Sequence, residues 1–547
     1  MATPPTRTDK SQFDPCFSSF IPDFSQPKRS SRIEDLLPSN NPPREFEKAD
    51  LVKIAARGPR TLDEYDGKIA ATRKLLDFLV SERDQAASNI SDAKALVHPV
   101  RDLPDDVLRA IFRACTRPVD EAFNRSFREI VHPSIGIESI QPDQSPWTLS
   151  HVCQQWRTVA IHTAELWSLI ELNLDERPKD KVLARNRVFR LGLQLFRANG
   201  RDLSVRLHGR NGVANVSPIL QILLPTAQYW KRLSVFLPLN SFQHFSVCKG
   251  SLNRLDTLYI GGPSDFRDWG VNDAFQFIPN LRLLGSFFGD LPFLAYFSMP
   301  FSSIEAFMSG GDNTRTYESL KRLPHVQKLF LACCWRFIDE LAEPITLHDV
   351  THLHILEPPS LQRVSSSSIN MYSHLILPSL QFLKLSFISS RISLPVITDP
   401  NSCPITSLTI DICGQSPQEC ARLDDELPHF LRRTPKLEEL RILATSTELP
   451  GRWVNDLVYI SGQDAIAPRL RVLSMPSGHI PAENIGGLVN VVESRRRMDV
   501  DSSDTGHCAL LEKVVLGPEP VWFDDEELSA RWSALRAGGL IVTCKEE

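Results

Sequence analysis

Apolar positions in this chain recur at three periods, and each period predicts a different kind of element. Leu62, Ile69, Leu76, Leu79, Ile90 and Val97 fall near heptad spacing with charges between them. That spacing predicts a long amphipathic helix that pairs with another helix or packs on the next domain. Arg83 and Ala86 interrupt the seam and favour packing on the same chain. Farther on, Pro104, Val107, Leu108, Ile111 and Phe112 follow i, i+3, i+4, i+7, i+8, the stripe of a shorter helix. Pro104 suits a first turn, where its missing N–H costs nothing, and Asp105 and Asp106 complement the positive end of the helix dipole. The stretch 116–144 lacks periodicity and reads as an inserted loop. Ser145 as N-cap and Pro146 at N1 then predict a second helix, with Leu149, Val152, Cys153, Trp156, Val159 and Ala160 on its apolar stripe. Thr163 can cap a further short turn that delivers Trp167, and the alternation of Ile170, Leu172 and Leu174 predicts a strand.

From 173 onward the period changes again. Residues 179–197 read as a helix stopped by Asn199-Gly200. Short strand-like phrases follow: LSVRL at 203, LSVFL at 233, LDTLYI at 255, VQKLFL at 326, LQFLKL at 380, ITSLTI at 405, LEELRI at 437, LRVLSM at 470 and LEKVVL at 511. Several are introduced by a proline and a short lead, as in IPNL, LPHV, LPSL, CPI, TPKL and APRL. This explains part of an unusual composition, in which 40 prolines exceed the usual share of about 5 % while 25 glycines fall below about 7 %.

Residues 1–50 are polar and rich in Pro and Ser, as expected of a disordered tail that cannot bury enough apolar area to offset ordering. The N-terminal segment has no apolar core of a signal peptide, and no window approaches the 18 or so apolar residues that span a bilayer. The 11 cysteines form no CxxC, which fits reduced thiols in the cytoplasm or nucleus. The sequons at Asn89, Asn124 and Asn215 then carry no role. A net charge of −5 gives no general attraction to nucleic acid or anionic membranes.

LPDDVLRAIF followed by LSHVCQQWRTVAIHTAELW resembles an F-box, the helical module of substrate receptors in cullin–RING ubiquitin ligases. The order of the two halves, the VCxxWRxVA core and the trailing LW carry the resemblance, and large fungal families of this type also have a leading amphipathic helix. Two features depart from the pattern: a longer inter-helix loop, and Ala164 where such families often have proline. The resemblance implies a Skp-type adaptor as partner, and through it a cullin–RING ligase. The implied contact set is Leu103, Pro104, Leu108, Ile111 and Phe112 on the first helix, with Leu149, Val152, Cys153 and Trp156 on the second. About half the stripe is expected to be core, Trp156 and Trp167 foremost.

The later phrases share the frame LxxLxL, the leucine-rich-repeat signature, which implies stacked units that each give one strand to a curved parallel sheet. Cys334 and Cys413 stand at the ninth frame position, where such repeats prefer Asn or Cys. A Rossmann-type sheet is the rival reading, but neither GxGxxG nor GxxxxGK[ST] occurs. The expected fold class is α+β. A helical F-box-like module at 98–172, preceded by an amphipathic helix at 51–97, leads into an irregular repeat solenoid at 173–547. In such a repeat the residues between the strand leucines face the concave side. Arg206, Lys328, Phe330, His352, His354, Lys384, Thr409, Arg441 and Ser474 are therefore candidates for contact with a protein substrate.

Other chemistry has little support in the sequence. HDVTHLH contains the one histidine cluster, and His352 with His354 would share a strand face, yet no Cys or His partner group accompanies them. No HExxH, GxSxG or kinase phrase occurs. Arg495-Arg496-Arg497 reads as a solvated loop, and 524–527 as a charged loop or helix start. No catalytic residue, metal or cofactor is expected, and neither a nucleic acid nor a membrane is an expected partner.

Overall fold

The computed structural model describes residues 31–39, 41–116, 138–175, 181–210, 218–262, 271–288, 296–334, 343–357, 374–388, 392, 394–395, 403–413, 417–444, 451–460, 465–475, 482–496, 508–516 and 526–544. The chain divides into two compact units, Met1–Leu103 and Pro104–Glu547. Of the expected tail, 1–30 and 40 lie outside the described residues, as does 117–137 of the expected loop.

The first unit contains α1 (Ser31–Leu36) and α2 (Glu45–Leu96). The helix expected over 51–97 thus begins at Glu45. Its start is set by Glu47, whose carboxylate accepts the Arg44 N–H at 2.7 Å and pairs with Arg32 at 2.7 Å. The Arg44 N–H bond, then the Arg32 guanidinium, lowers the Glu47 pKa. Pro59 lies inside α2, where it removes one backbone bond of the helix ladder. No residue of this 52-residue helix is buried.

The second unit opens with α3 (Asp105–Cys115) and α4 (Gln154–His162). The second helix therefore starts later than Ser145. Residues 142–147 are turns and bends, Thr148–His151 is a 3-10 stretch, and Cys153 caps α4 by accepting the Trp156 N–H at 3.5 Å. Ser145 Oγ has no hydrogen-bond partner. The cause is packing: Trp147 and Leu149 turn inward here, and Trp147 Nε1 donates to the Ser139 carbonyl at 2.8 Å.

The end of the expected loop is also anchored. Glu138 is buried, accepts the Asn173 N–H at 2.7 Å and receives the Arg187 Nε at 3.0 Å, while the Ser139 N–H bonds the Glu171 carbonyl at 3.0 Å. Arg187 belongs to α5 (Lys181–Ala198), which ends as expected on Asn199 and Gly200, both at positive φ.

The remainder is built on one large parallel sheet. Its strands are β1 (Leu169–Asn173), β2 (Leu203–His208), β3 (Trp230–Phe236), β4 (Thr257–Gly262), β5 (Leu283–Phe288), β6 (Ala306–Asp312) and β7 (Lys328–Cys334), followed by β8 (His352–Glu357), β9 (Phe382–Ile388), β10 (Ser407–Cys413), β11 (Glu439–Ala444), β12 (Val472–Met475), β13 (Lys513–Leu516) and β14 (Ile541–Cys544). Among the described residues all 14 are parallel, and each pairs with the strand before it. A doubly wound sheet reverses its strand order at a switch point, so this sequential order excludes the Rossmann-type rival. The arrangement is α+β and solenoid-like.

One backbone ladder runs along the strand entrances. The N–H of Asp256 bonds the carbonyl of Lys231, and the same bond recurs through Arg282, Glu305, Gln327, Thr351, Gln381, Thr406, Glu438, Arg471 and Glu512. Just before each of those positions from Asp256 onward stands a buried apolar residue, such as Leu255, Val326, Leu437 or Leu470, each 0 % exposed. The strand interiors repeat the pattern: Leu258, Leu329, Leu408 and Leu440 are also 0 % exposed. Two-residue periodicity sends these side chains to one face, where they form the core with the connecting segments. Arg495, expected in a solvated loop, lies in the helix Ala482–Arg496 and is fully buried. It donates to the carbonyls of Leu457, Ala467 and Ile466 at 3.0, 3.0 and 2.6 Å, so it stitches a connecting segment in place.

Candidate functional site

Two surfaces of the second unit hold the residues singled out in the sequence, Leu103 excepted. In the helical pair, α3 and α4 meet through Phe112 and Trp156, whose ring centroids are 4.9 Å apart. Gln155 Nε2 donates to Asp105 Oδ1 at 3.3 Å near the N-termini of both helices, and Arg113 pairs with Glu165 at 2.7 Å. Beneath them Trp167 Nε1 donates to the Ala160 carbonyl at 2.8 Å, and the Arg197 guanidinium lies over both Trp147 and Trp167 at 4.9 and 4.4 Å. Burial lowers the Arg197 pKa.

The expected contact set divides between core and rim. Leu108 and Phe112 are 0 % exposed and Leu149 is buried, so these three hold the pair together. Pro104, Val152 and Cys153 are exposed, while Ile111 and Trp156 are half-buried. Leu103, at the end of the first unit, is half-buried as well. Trp167 is core as expected, Trp156 only in part, and Trp147 joins them. Val107, on the α3 stripe but outside the proposed set, is 39 % exposed, and Val152 is 59 % exposed. An apolar rim therefore stands beside a closed core.

The second surface is the sheet face opposite the leucines. Strand register places Arg206, Phe330, His354, Lys384, Thr409, Arg441 and Ser474 in one row, with Ser234, Tyr259, Gly285 and Met308 between Arg206 and Phe330. Lys328 and His352 occupy the neighbouring row with Phe382. Several of these side chains are less open than expected, because cross-strand neighbours engage them. Arg206 is largely buried and ion-paired with Glu171 of β1. His352 stacks on Phe382 at 4.2 Å. Arg441 stays exposed, its Nε donating at 2.8 Å to Glu439 of its own strand.

His354 is enclosed between the edge of Phe330 and Ser386, whose hydroxyl lies 2.9 Å from its Nε2. Burial, aided by Lys384, pushes the imidazole down to about 3, so it is neutral at physiological pH. Ser386 donates to Asp411 at 3.4 Å, and Lys384 lies 3.5 Å from the same carboxylate. The serine sits between histidine and carboxylate. In a hydrolase triad the histidine occupies the middle, so this cluster does not activate a nucleophile in that way. Among the described residues no group of three His, Cys, Asp or Glu gathers as a metal site. Nor is any described helix long and apolar enough to cross a membrane.

Sequence reasoning missed an apolar cluster on this face: Tyr259, Phe287, Met308, Ala332, Leu356 and Ile388, with Leu283 and Phe330 packed against it. Its signal was present in phrases such as LYIGG and LLGSFF, which are apolar on both faces. A side chain at Gly285 would collide with the Tyr259 ring, and a Cβ at Gly261 would come within 2.8 Å of Phe236. These glycines let the aromatic rings lie against the sheet. His208 is also buried on this face, stacked on Phe236 at 5.3 Å, and burial lowers its pKa.

Comparison of the sequence with protein-family models and with curated proteins finds no match.

Proposed function

We propose that the chain is a non-catalytic substrate receptor of a cullin–RING ubiquitin ligase. In this reading residues 98–172 form an F-box that docks a Skp-type adaptor, and 173–547 form a leucine-rich-repeat domain that holds a protein substrate. The observation that carries it is the apolar rim, with Val107 39 % and Val152 59 % exposed beside a core already closed by Leu108 and Phe112. Solvent-facing valines of this kind gain from a covering apolar partner. The recurring LxxLxL frame and its continuous backbone ladder support the repeat reading.

The receptor's contribution is positional. Holding a substrate near the charged conjugating enzyme raises the effective concentration of a target lysine, and no bond-making step falls to this chain. Such a role belongs to the cytoplasm or nucleus, with neither membrane nor nucleic acid as partner. The sheet face supplies an extended surface for the substrate.

A scaffold with a degenerate F-box is the second reading, favoured by the complete burial of Leu108 and Phe112 within the chain. Affinity capture of the tagged full chain from cells decides between the two. The receptor reading expects recovery of the Skp-type adaptor together with a cullin. Failure to recover the adaptor, under conditions where another F-box protein recovers it, leaves the scaffold.

A further inference from the structure

The apolar seam of α2 lies outside the residues assigned above to adaptor and substrate binding, and it stands exposed along the helix. Leu62, Ile69, Leu76, Leu79 and Ile90 are 63, 48, 58, 54 and 56 % exposed. These residues occupy the a and d positions of a heptad repeat, as does Tyr65. A helix with such a seam loses its main source of stability when the seam faces water. Charges of both signs flank it, which argues against an anionic membrane surface as the cover.

We propose that α2 pairs with α2 of a second copy of this chain, as an antiparallel two-stranded coiled coil centred between Ala70 and Ala71. Three features select this arrangement. In a parallel in-register pair, Arg83 would face Arg83 in a core layer, and Lys68 at g would face Arg73 at e, so like charges would meet twice over. The antiparallel register removes both conflicts. It sets Leu62 of one copy against Leu79 of the other, Tyr65 against Leu76, and Leu51 against Ile90. Arg83 then meets Gly58, which leaves room for its long side chain, and Asp66 meets Arg73 in two symmetric flanking pairs. The interruptions that weaken the seam in a single helix are thereby matched to small residues across the pair.

Sedimentation equilibrium of the full chain, with charge swaps on this exposed surface, tests the proposal independently of any adaptor. The wild type shows a reversible monomer–dimer equilibrium. Asp66→Arg or Arg73→Asp weakens it on the order of tenfold, because each replaces two attractive pairs by two repulsive ones. The double variant Asp66→Arg/Arg73→Asp restores the wild-type constant. A wild type that stays monomeric at every concentration overturns the proposal, as does assembly beyond a dimer. So does tighter association of Arg73→Asp, the result a parallel pair would give.

Discussion

Phe78 and Phe307 are the same side chain in one protein, yet Phe78 stands 58 % exposed on α2 while Phe307 in β6 is 0 % exposed. The two regions around them differ in the same sense. The sheet sends its apolar rows into a core closed by its own connecting segments. Along α2 no residue is buried. Amphipathic period alone therefore predicts an element but not where its apolar face is satisfied. Where the chain supplies the cover, the residues determine stability; where it does not, they are available to a partner.

The comparison is tested most strongly by paired truncations. Phe307→Ala lowers unfolding free energy by about 3–5 kcal/mol, the transfer loss plus the cavity, whereas Phe78→Ala stays within about 0.5 kcal/mol. Urea unfolding of both variants checks this, and equal losses would erase the distinction. Next in size is Glu171→Gln, which removes the carboxylate charge paired with the largely buried Arg206. A loss of about 3 kcal/mol is expected, and unfolding of the double variant Glu171→Gln/Arg206→Met should recover much of it.

Another effect concerns pH. The folded pKa of His354 lies near 3, below the ordinary value of 6.5, so the unfolded chain binds a proton that the folded chain refuses. Its stabilising contribution is complete above pH 6.5 and declines as pH falls toward 3, by at most about 1.4 kcal/mol per unit. Unfolding midpoints measured from pH 7 to pH 4 should fall less steeply for His354→Gln than for the wild type. Parallel slopes would show that His354 is open to protonation in the folded state. The smallest effect is Arg441→Ala, whose exposed pairing with Glu439 should change stability by less than about 0.5 kcal/mol in the same assay.

Much of the sheet was legible because its core residues keep a strict alternation. LSVRL, VQKLFL and LEELRI each became a strand, and the proline leads stand at strand entrances. The strands less visible in sequence were β5 and β6, whose glycines break the β-branched and aromatic pattern. At Gly285 the reason is a ring from the neighbouring strand, a contact that no local window contains. The ion pair between Arg206 and Glu171 was hidden for the same reason, since its members lie on different strands and meet only through register. In the helical pair the stripe was legible, but its division into core and rim was not. Leu108 and Val107 are neighbours of similar hydrophobicity, and only helix phase against α4 and Trp167 separates them. The start of α4 was misplaced because Ser145-Pro146 fits a cap locally, whereas burial of Trp147 and Leu149 shifts the cap to Cys153.

The most direct measurement is calorimetric titration of a purified Skp-type adaptor into the full chain and into its Val152→Asp variant. Val152 is exposed, so the substitution should leave the unfolding midpoint unchanged. The wild type is expected to bind, and Val152→Asp to bind at least about tenfold more weakly, as for a residue buried at the centre of an interface. Equal binding by the two proteins, or binding by neither where another F-box protein binds the same adaptor, would contradict the assignment of the apolar rim.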